Sequence, residues 1–246
     1  MMKHVEIVNK NGKILRGYLN KTENTSGEIF IMLHGFTGNK TEHQCHFRNF
    51  SRILESEGVS SIRLDFSGNG ESDGTFLDFT FDTLISDAET IIEHVLKLEW
   101  VTKVDLLGFS MGGAVAAMMA AKYNEKLNKI LLWSPARNIF SIIKKSYEVN
   151  KKDESGNTLR GSFSMSKAMY KSVDKYNVME DLSLITRKVF IVHGDKDLSV
   201  PFENSYKYLE VLKDASLHCV EGSGHGYDEN VHMKELYEAS KKFILE

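Results

Sequence analysis

Residues 104–123, VDLLGFSMGGAVAAMMAAKY, place a serine between two glycines where an apolar segment meets a segment of small residues. The apolar run before Gly108 predicts a buried strand, and the run after Gly112 predicts a helix. The pattern G-x-S-x-G in this context predicts a sharp strand-to-helix turn that exposes the hydroxyl of Ser110, a nucleophile elbow. Bulky side chains two residues from the serine would collide in so tight a bend, which accounts for both glycines.

The helix predicted after this turn affects the chemistry of Ser110. Its unpaired N–H groups and the positive end of its dipole lie beneath the serine and favour negative charge there. The N–H of Met111 is then the natural first donor to an oxyanion formed beside Ser110. The alternative is a glycine-rich turn whose serine has no chemical role, because short motifs also occur by chance.

The composition indicates a globular protein without a polyanionic partner. The chain has 246 residues, 41% of them hydrophobic and 26% charged, enough for one sizeable α/β domain. The formal charge of −3 gives no indication of nucleic acid binding. The start, MMKHVEIVNK, has no apolar signal region, and no apolar run is long enough to cross a bilayer. We therefore expect a cytoplasmic protein with reduced cysteines and no membrane partner, compatible with a homodimer.

Predicted strands alternate with predicted helices along most of the chain. The first two strands flank Asn11 and Gly12, a strong hairpin signal. The predicted strands are 5–8, 14–19, 29–33, 59–66, 101–107, 129–133, 189–193 and 216–220, and the predicted helices are 47–57, 80–98, one after Ser110, one from Pro201, and 230–245. This alternation predicts a mostly parallel, doubly wound sheet covered by helices on both faces.

Residues 134–187 interrupt the alternation, and no strand of the sheet is predicted there. The segment combines apolar and aromatic residues with a polar stretch at 150–157. A long excursion inside a compact domain is usually a lid or binding element. We therefore predict a small inserted cap at 134–187 over Ser110, and a core formed by 1–133 and 188–246. The alternative is a surface insertion that packs on itself.

A nucleophilic serine requires a base, and the base requires an orienting acid. In this architecture the acid precedes the histidine along the chain. His218 falls in a predicted strand and His232 in the terminal helix, whereas His225 lies in the glycine-rich loop EGSGHG after the last strand. His225 is therefore the histidine free to reach the strand ends.

Two aspartates compete for the role of the acid. Both follow an apolar strand in the sequence HGDKD. Asp195 sits in the tight turn, where aspartate often only bonds the backbone, and Asp197 is farther out and freer to reach an imidazole. The residues alone do not separate the two.

The motifs HGFTG, DFSGNGESDG, GFSMGG, HGDKDLSVP and GSGHGYDEN together resemble those of the α/β-hydrolase superfamily. The resemblance covers essentially the whole chain and is strongest to small bacterial serine esterases of the cinnamoyl (feruloyl) branch. It implies the α/β-hydrolase fold. Ser67 and Asn69 depart from the superfamily pattern, which commonly has arginine and histidine at these positions.

The resemblance also implies roles for individual residues. Ser110 corresponds to the nucleophile, Asp197 to the acid and His225 to the base. The N–H groups of Phe36 and Met111 correspond to the oxyanion hole. Asp197 is chosen over Asp195 on the family pattern HG-x-x-D.

We therefore expect a serine carboxylesterase that acts through an acyl-enzyme and requires no metal or organic cofactor. The resemblance points to small aromatic acyl esters, namely hydroxycinnamoyl (feruloyl) esters, as the small-molecule substrate. The apolar residues expected to bind the acyl group are Phe36, Phe79, Phe140, Phe163 and Met169. The alternatives are a monoacylglycerol-type or short-chain esterase or lipase, a carbon–carbon bond hydrolase, and a hydrolase-fold receptor without catalysis.

Other residue clusters give weaker indications. His43, Cys45 and His46 lie close together, but a metal site would require a second group of ligands, so a helix surface is expected. Asp228, near His225, is expected to cap the last helix. No glycine-rich motif follows a strand as a dinucleotide site requires.

Overall fold

The computed structural model describes residues 2–23, 27–160 and 163–246, and a sheet of eight strands runs through these ranges. The strands of this sheet are β1 (Met2–Val8), β2 (Ile14–Asn20), β3 (Glu28–Leu33), β4 (Ser60–Leu64), β5 (Lys103–Phe109), β6 (Lys129–Trp133), β9 (Lys188–Gly194) and β10 (Ala215–Val220). Two further strands, β7 (Thr158–Arg160) and β8 (Phe163–Met165), lie outside it. The α-helices are α1 (His46–Ser56), α2 (Phe81–Val95), α3 (Met111–Lys122), α4 (Ile139–Val149), α5 (Lys167–Ser172), α6 (Glu203–Leu209) and α7 (Asn230–Leu245).

The strand order of the sheet is β1-β2-β4-β3-β5-β6-β9-β10. β1 and β2 form the predicted antiparallel hairpin, and β2 is also antiparallel to β4. The remaining neighbours pair in parallel. The prediction of a mostly parallel sheet with the α/β-hydrolase fold is confirmed. Because β3, β5, β9 and β10 are parallel, their carboxyl ends lie at one edge, where such sheets bind ligands.

The helices cover both faces of the sheet. Ile29 and Ile31 of β3 belong to the core that includes residues of α2 and α3, whereas Phe30 and Met32 belong to the core that includes residues of α1 and α7. Alternate residues of a strand point to opposite faces. A strand buried on both faces is apolar throughout, which explains why β3 was readily predicted.

The described residues of the segment 134–187 contribute no strand to this sheet, as predicted. It does contain a small hairpin, in which β7 pairs antiparallel with β8. Residues 161 and 162, between these strands, lie outside the described residues. Met165 and Met169 are buried in the same core as α2 and α3. Strands of three residues are too short to show a periodicity, which is why this hairpin was not predicted. The division into core and cap stays a prediction.

The helix boundaries differ slightly from the predicted ones. α1 begins at His46 rather than residue 47, and α6 begins at Glu203, two residues after Pro201. Among the described residues, the helices are too short or too polar to qualify as membrane spans.

Candidate active site

Ser110 stands at the carboxyl end of β5 and immediately before α3, in the predicted elbow. Its backbone angles are φ 57° and ψ −117°, a conformation that costs a non-glycine residue roughly 1–3 kcal/mol. A Cβ on Gly108 would lie 2.2 Å from the carbonyl oxygen of Gly112, and a Cβ on Gly112 would lie 1.9 Å from that of Leu33. The two glycines therefore permit close contacts between backbones, which hold the strained turn in place.

The structure brings together the three residues that the sequence nominated as a triad. The imidazole Nε2 of His225 lies 3.0 Å from the hydroxyl oxygen of Ser110, and its Nδ1 lies 2.6 Å from Oδ2 of Asp197. A carboxylate only accepts hydrogen bonds, so the proton of the neutral ring is on Nδ1. Nε2 is then free to accept the hydroxyl proton of Ser110. This arrangement can activate a serine as a nucleophile.

Asp197 is buried and surrounded by donors. Its Oδ1 accepts the N–H groups of Ser199 at 2.8 Å and Val200 at 2.7 Å, and its Oδ2 accepts from both His225 and His193. Burial opposes ionisation, but the hydrogen bonds from His193, His225 and the Val200 N–H hold the pKa of Asp197 well below its usual range. The carboxylate is therefore charged at neutral pH.

The structure also separates the two aspartates that the sequence left open. Asp195 accepts the N–H of Gly222 at 2.6 Å and forms an ion pair with Lys196 at 3.0 Å. These contacts hold the pKa of Asp195 below its usual range. Asp195 thus stabilises the turn, while the contact with His225 belongs to Asp197.

The loop after β3 lies next to Ser110 and carries Phe36. A Cβ on the preceding Gly35 would lie 3.4 Å from the Cβ of Ser110, so this part of the loop lies close to the serine. The Gly35 N–H donates to Oε2 of Glu42 at 2.7 Å. Glu42 is only 9% exposed and has φ 61°, which is rare for a residue other than glycine. This buried carboxylate anchors the loop, and sequence reasoning did not identify it.

Two cavities meet at Ser110 and His225. The first has a volume of about 240 Å³, lies beneath the start of α4, and is lined by Phe36, Thr37, Ser110, Ala136, Ile139, Ile142, Ser199, Val200 and His225. The second has a volume of about 420 Å³ and is lined by Gly35, Phe36, Thr37, Gly38, Asn39, Glu42, His43, Phe109, Ser110, His225, Gly226 and Asp228. A larger cavity of about 600 Å³ lies between β10 and α7 and includes none of the predicted site residues. The first two cavities form the candidate site, because Ser110 and His225 line both of them.

Among the five residues expected to bind the acyl group, Phe36 lines both cavities at Ser110. The other four do not line either cavity in the described structure. Phe79 and Met169 are 1% exposed and belong to the core. Phe140 packs edge-on against Phe81 with ring centres 4.7 Å apart, and Phe163 contacts the ring of Phe76 at 4.8 Å. These four residues pack against the core or against neighbouring rings, whereas Ile139 and Ile142 line the cavity beneath α4.

The sequence predicts that His46 lies on a helix surface. In the structure it is instead fully buried at the start of α1. Its Nε2 bonds the carbonyl oxygen of Gly226 at 2.8 Å, and its Nδ1 bonds the hydroxyl of Tyr237 at 2.7 Å. Burial lowers the pKa of His46. Because Gly226 follows His225, His46 anchors the loop that carries His225. Within the described residues, no group of three or more His, Cys, Asp or Glu side chains is arranged to hold a metal ion.

The expectation that Asp228 caps the last helix is wrong. The N-cap position of α7 is Glu229, and no side chain there bonds the helix end. Asp228 instead lies 2.5 Å from Nε2 of His43, across the rim of the second cavity. The contact joins loops that are far apart in sequence, which local capping rules do not consider.

The chain is similar in sequence and in structure to known proteins. The model of a family described as serine aminopeptidase, S33 matches residues 25–150, slightly more than half of the chain. Proline iminopeptidase PfmaB of Pestalotiopsis fici is 26% identical, over 90% of this chain and 92% of that protein. The mouse serine hydrolase BPHL is 26% identical, over 83% of this chain and 74% of that protein. Est1E of Butyrivibrio proteoclasticus with bound ferulic acid is 26% identical, covers 97% of both chains, and has a TM-score of 0.84.

Proposed function

Because this chain belongs to the serine aminopeptidase S33 family and is a serine hydrolase of the α/β-hydrolase type, we propose that it is a carboxylesterase with Ser110, His225 and Asp197 as its catalytic triad. One observation carries the proposal. Ser110 Oγ, the two nitrogens of His225 and Asp197 Oδ2 form a continuous hydrogen-bonded chain, with distances of 3.0 Å and 2.6 Å. A triad is recognised by this geometry and not by sequence position.

In the proposed mechanism, Nε2 of His225 takes the hydroxyl proton as Ser110 Oγ attacks the carbonyl carbon of the ester. Asp197 stabilises the imidazolium that forms. The N–H groups of Phe36 and Met111 stabilise the negative oxygen of the tetrahedral intermediate. His225 then returns the proton to the leaving alcohol, and an acyl-enzyme remains. A water molecule, deprotonated by the same nitrogen, releases the acid.

The two cavities accommodate the two halves of the ester. The cavity beneath α4 has the aliphatic side chains Ile139, Ile142 and Val200 in its wall, and these suit an acyl group. The second cavity has polar and charged residues such as Asn39 and Asp228 in its wall, and suits the alcohol and the attacking water.

The proposed substrates are hydroxycinnamoyl (feruloyl) esters. The similarity to Est1E, whose structure contains ferulic acid, supports this choice. In the cavity beneath α4, Phe36 offers a ring contact to a flat aromatic acid, and Ser199 offers a polar group for a phenolic hydroxyl.

A second candidate is an aminopeptidase, which the family description and the similarity to a proline iminopeptidase favour. An aminopeptidase must bind the free ammonium group of its substrate on the acyl side, where a carboxylate is the natural partner. The residues that the structure describes around the cavity beneath α4 include no carboxylate. This lining supports the esterase.

The test is a panel of substrates with different acyl groups and leaving groups. We expect turnover of methyl ferulate and p-nitrophenyl acetate, and loss of nearly all turnover in Ser110→Ala, since triad losses reach roughly a million-fold in comparable hydrolases. Efficient cleavage of proline p-nitroanilide with weak ester hydrolysis would favour the aminopeptidase. Efficient cleavage of medium-chain alkyl esters with poor ferulate turnover would favour the lipase-type alternative. Ester turnover that survives in Ser110→Ala would contradict the triad.

A further inference from the structure

A second histidine contacts the carboxylate proposed as the catalytic acid. His193, near the end of β9, is fully buried. Its Nε2 lies 3.1 Å from Oδ2 of Asp197, the same oxygen that accepts from His225. It also lies 3.0 Å from the carbonyl oxygen of Val200. His193 therefore contacts both ends of the loop 197–200, which carries the acid.

The proton on His193 can be placed from its neighbours. A carboxylate oxygen and a carbonyl oxygen both only accept hydrogen bonds, so Nε2 must carry a proton. On the opposite side of the ring, Nδ1 lies 2.7 Å from the hydroxyl of Ser205 on α6, which can donate to it. The ring of Phe202 packs edge-on at 5.4 Å and restricts rotation of the imidazole. The N–H of Nε2 is thus directed at Asp197.

We propose that His193 is a positioning residue for catalysis: its Nε2–H group donates to Oδ2 of Asp197 and thereby fixes the orientation of that oxygen toward His225. The inference rests on the proposed function, in which Asp197 orients the base. It assigns to His193 a role distinct from core packing, because the histidine shares its acceptor atom with the catalytic base.

The surroundings of Asp197 explain why a second donor is needed. The two backbone N–H groups of the loop hold Oδ1 alone, so they do not determine the charge or direction of Oδ2. The titratable groups that face this carboxylate are His193, His225 and the buried Tyr227, whose hydroxyl bonds Ser134 and the Val192 carbonyl instead. A buried anion with too few donors is strongly disfavoured. His193 supplies the remaining donor to Oδ2.

Two variants of similar polarity separate positioning from packing. In His193→Gln the amide nitrogen reaches about the position of Nε2, and in His193→Asn it reaches about that of Nδ1. We expect kcat for p-nitrophenyl acetate to fall roughly 10- to 100-fold in His193→Asn with KM unchanged, and to stay within about threefold in His193→Gln. The acid limb of the kcat/KM profile should move to higher pH in His193→Asn alone, because a less neutralised Asp197 favours the protonated form of His225.

The matched control is Ser205→Ala, which removes the partner of Nδ1 and leaves the donor to Asp197 in place. Its kcat should stay within about threefold of wild type. Equal losses in the Asn, Gln and Ser205→Ala variants would overturn the proposal, because a residue that only supports packing affects all three alike. So would an acid limb that stays in place in His193→Asn.

A measurement on the free protein keeps this proposal separate from the proposed function. The proton between His225 Nδ1 and Asp197 Oδ2 should give a far-downfield resonance in the NMR spectrum. We expect that resonance to shift or broaden in His193→Asn and to be preserved in His193→Gln. That result in a protein without esterase activity would reject the proposed function and support the positioning role. An unchanged resonance in both variants would overturn the positioning role whatever the substrate.

Discussion

Gly112→Ala tests the elbow most directly, because the structure defines what one methyl group would displace. A Cβ at this position lies 1.9 Å from the carbonyl oxygen of Leu33, whereas ordinary contacts begin at 3.4 Å. The end of β3 and the start of α3 must therefore separate by about 1.5 Å. The nearest atoms, in Leu33 and His34, belong to the backbone, so no side-chain rotation relieves the overlap.

The expected effect has two parts. Inserting a methyl group into such a contact costs about 1–3 kcal/mol of stability, and a rigid backbone neighbour favours the upper end. The same shift moves the loop of Phe36 away from Ser110, and a misplacement of about 1 Å costs roughly 100-fold in rate. We therefore expect Gly112→Ala to lose at least about 100-fold in kcat for p-nitrophenyl acetate.

The matched control is Gly113→Ala, one residue further along α3. Its Cβ would lie 3.0 Å from Pro135, so a displacement of a few tenths of an ångström is enough. This variant should lose less than about tenfold in kcat. The assays are steady-state kinetics and urea unfolding of both variants. Wild-type kcat and stability in Gly112→Ala would refute the argument that backbone contact across this glycine holds the elbow against the Phe36 loop.

Three further predictions follow from buried or paired carboxylates. Asp197→Asn should lower kcat by about four orders of magnitude, whereas Asp195→Asn should retain most activity in the same ester assay; the reverse order would contradict the assignment of the acid. Glu42→Gln should lower kcat at least about tenfold with little change in KM, since the buried amide leaves one loop N–H without an acceptor; steady-state kinetics with wild-type values would contradict its anchoring role. Burial, together with the nearby Glu28, raises the pKa of Asp105 to about 8. Asp105 therefore keeps its proton in the folded protein at pH values at which the unfolded chain has released it, above about pH 4. The stability that the protonated Asp105 contributes is complete below that pH and is lost as the pH rises toward 8. Urea midpoints at pH 5 and pH 8 should differ less in Asp105→Asn than in wild type, and an unchanged difference would contradict the assignment.

The fold and the position of Ser110 at a strand-to-helix turn could be predicted from sequence because their signals are local. Ser110 lies within a short motif between a strand and a helix, and His225 lies in a glycine-rich loop after the last strand. The choice between Asp195 and Asp197 needed the family pattern, because both occupy the same turn. The structure distinguishes them by partners that are distant in sequence.

The polar residues that support the site could not be predicted. His193, His46 and Glu42 are buried. His46 bonds Gly226 and Tyr237, which are far away in the sequence, whereas His193 and Glu42 bond nearby residues through the conformation of their loops. A single sequence shows neither. The residues that line the cavities could not be predicted for a related reason. An aromatic side chain in an insert looks the same in sequence whether it faces a cavity or, like Phe140, another ring.

The order of the strands in the sheet also has a consequence for folding. Ser110 and His225 are 115 positions apart, and their contact requires β9 and the edge strand β10 to have joined the sheet. Contacts between such distant segments form late, because the intervening chain must first be closed into a loop. We therefore expect helical structure to return during refolding before Ser110 and His225 come into contact. If the proposed triad is correct, recovery of activity reports completion of the last parallel pairing, and a nascent chain that ends before β10 carries Ser110 without His225.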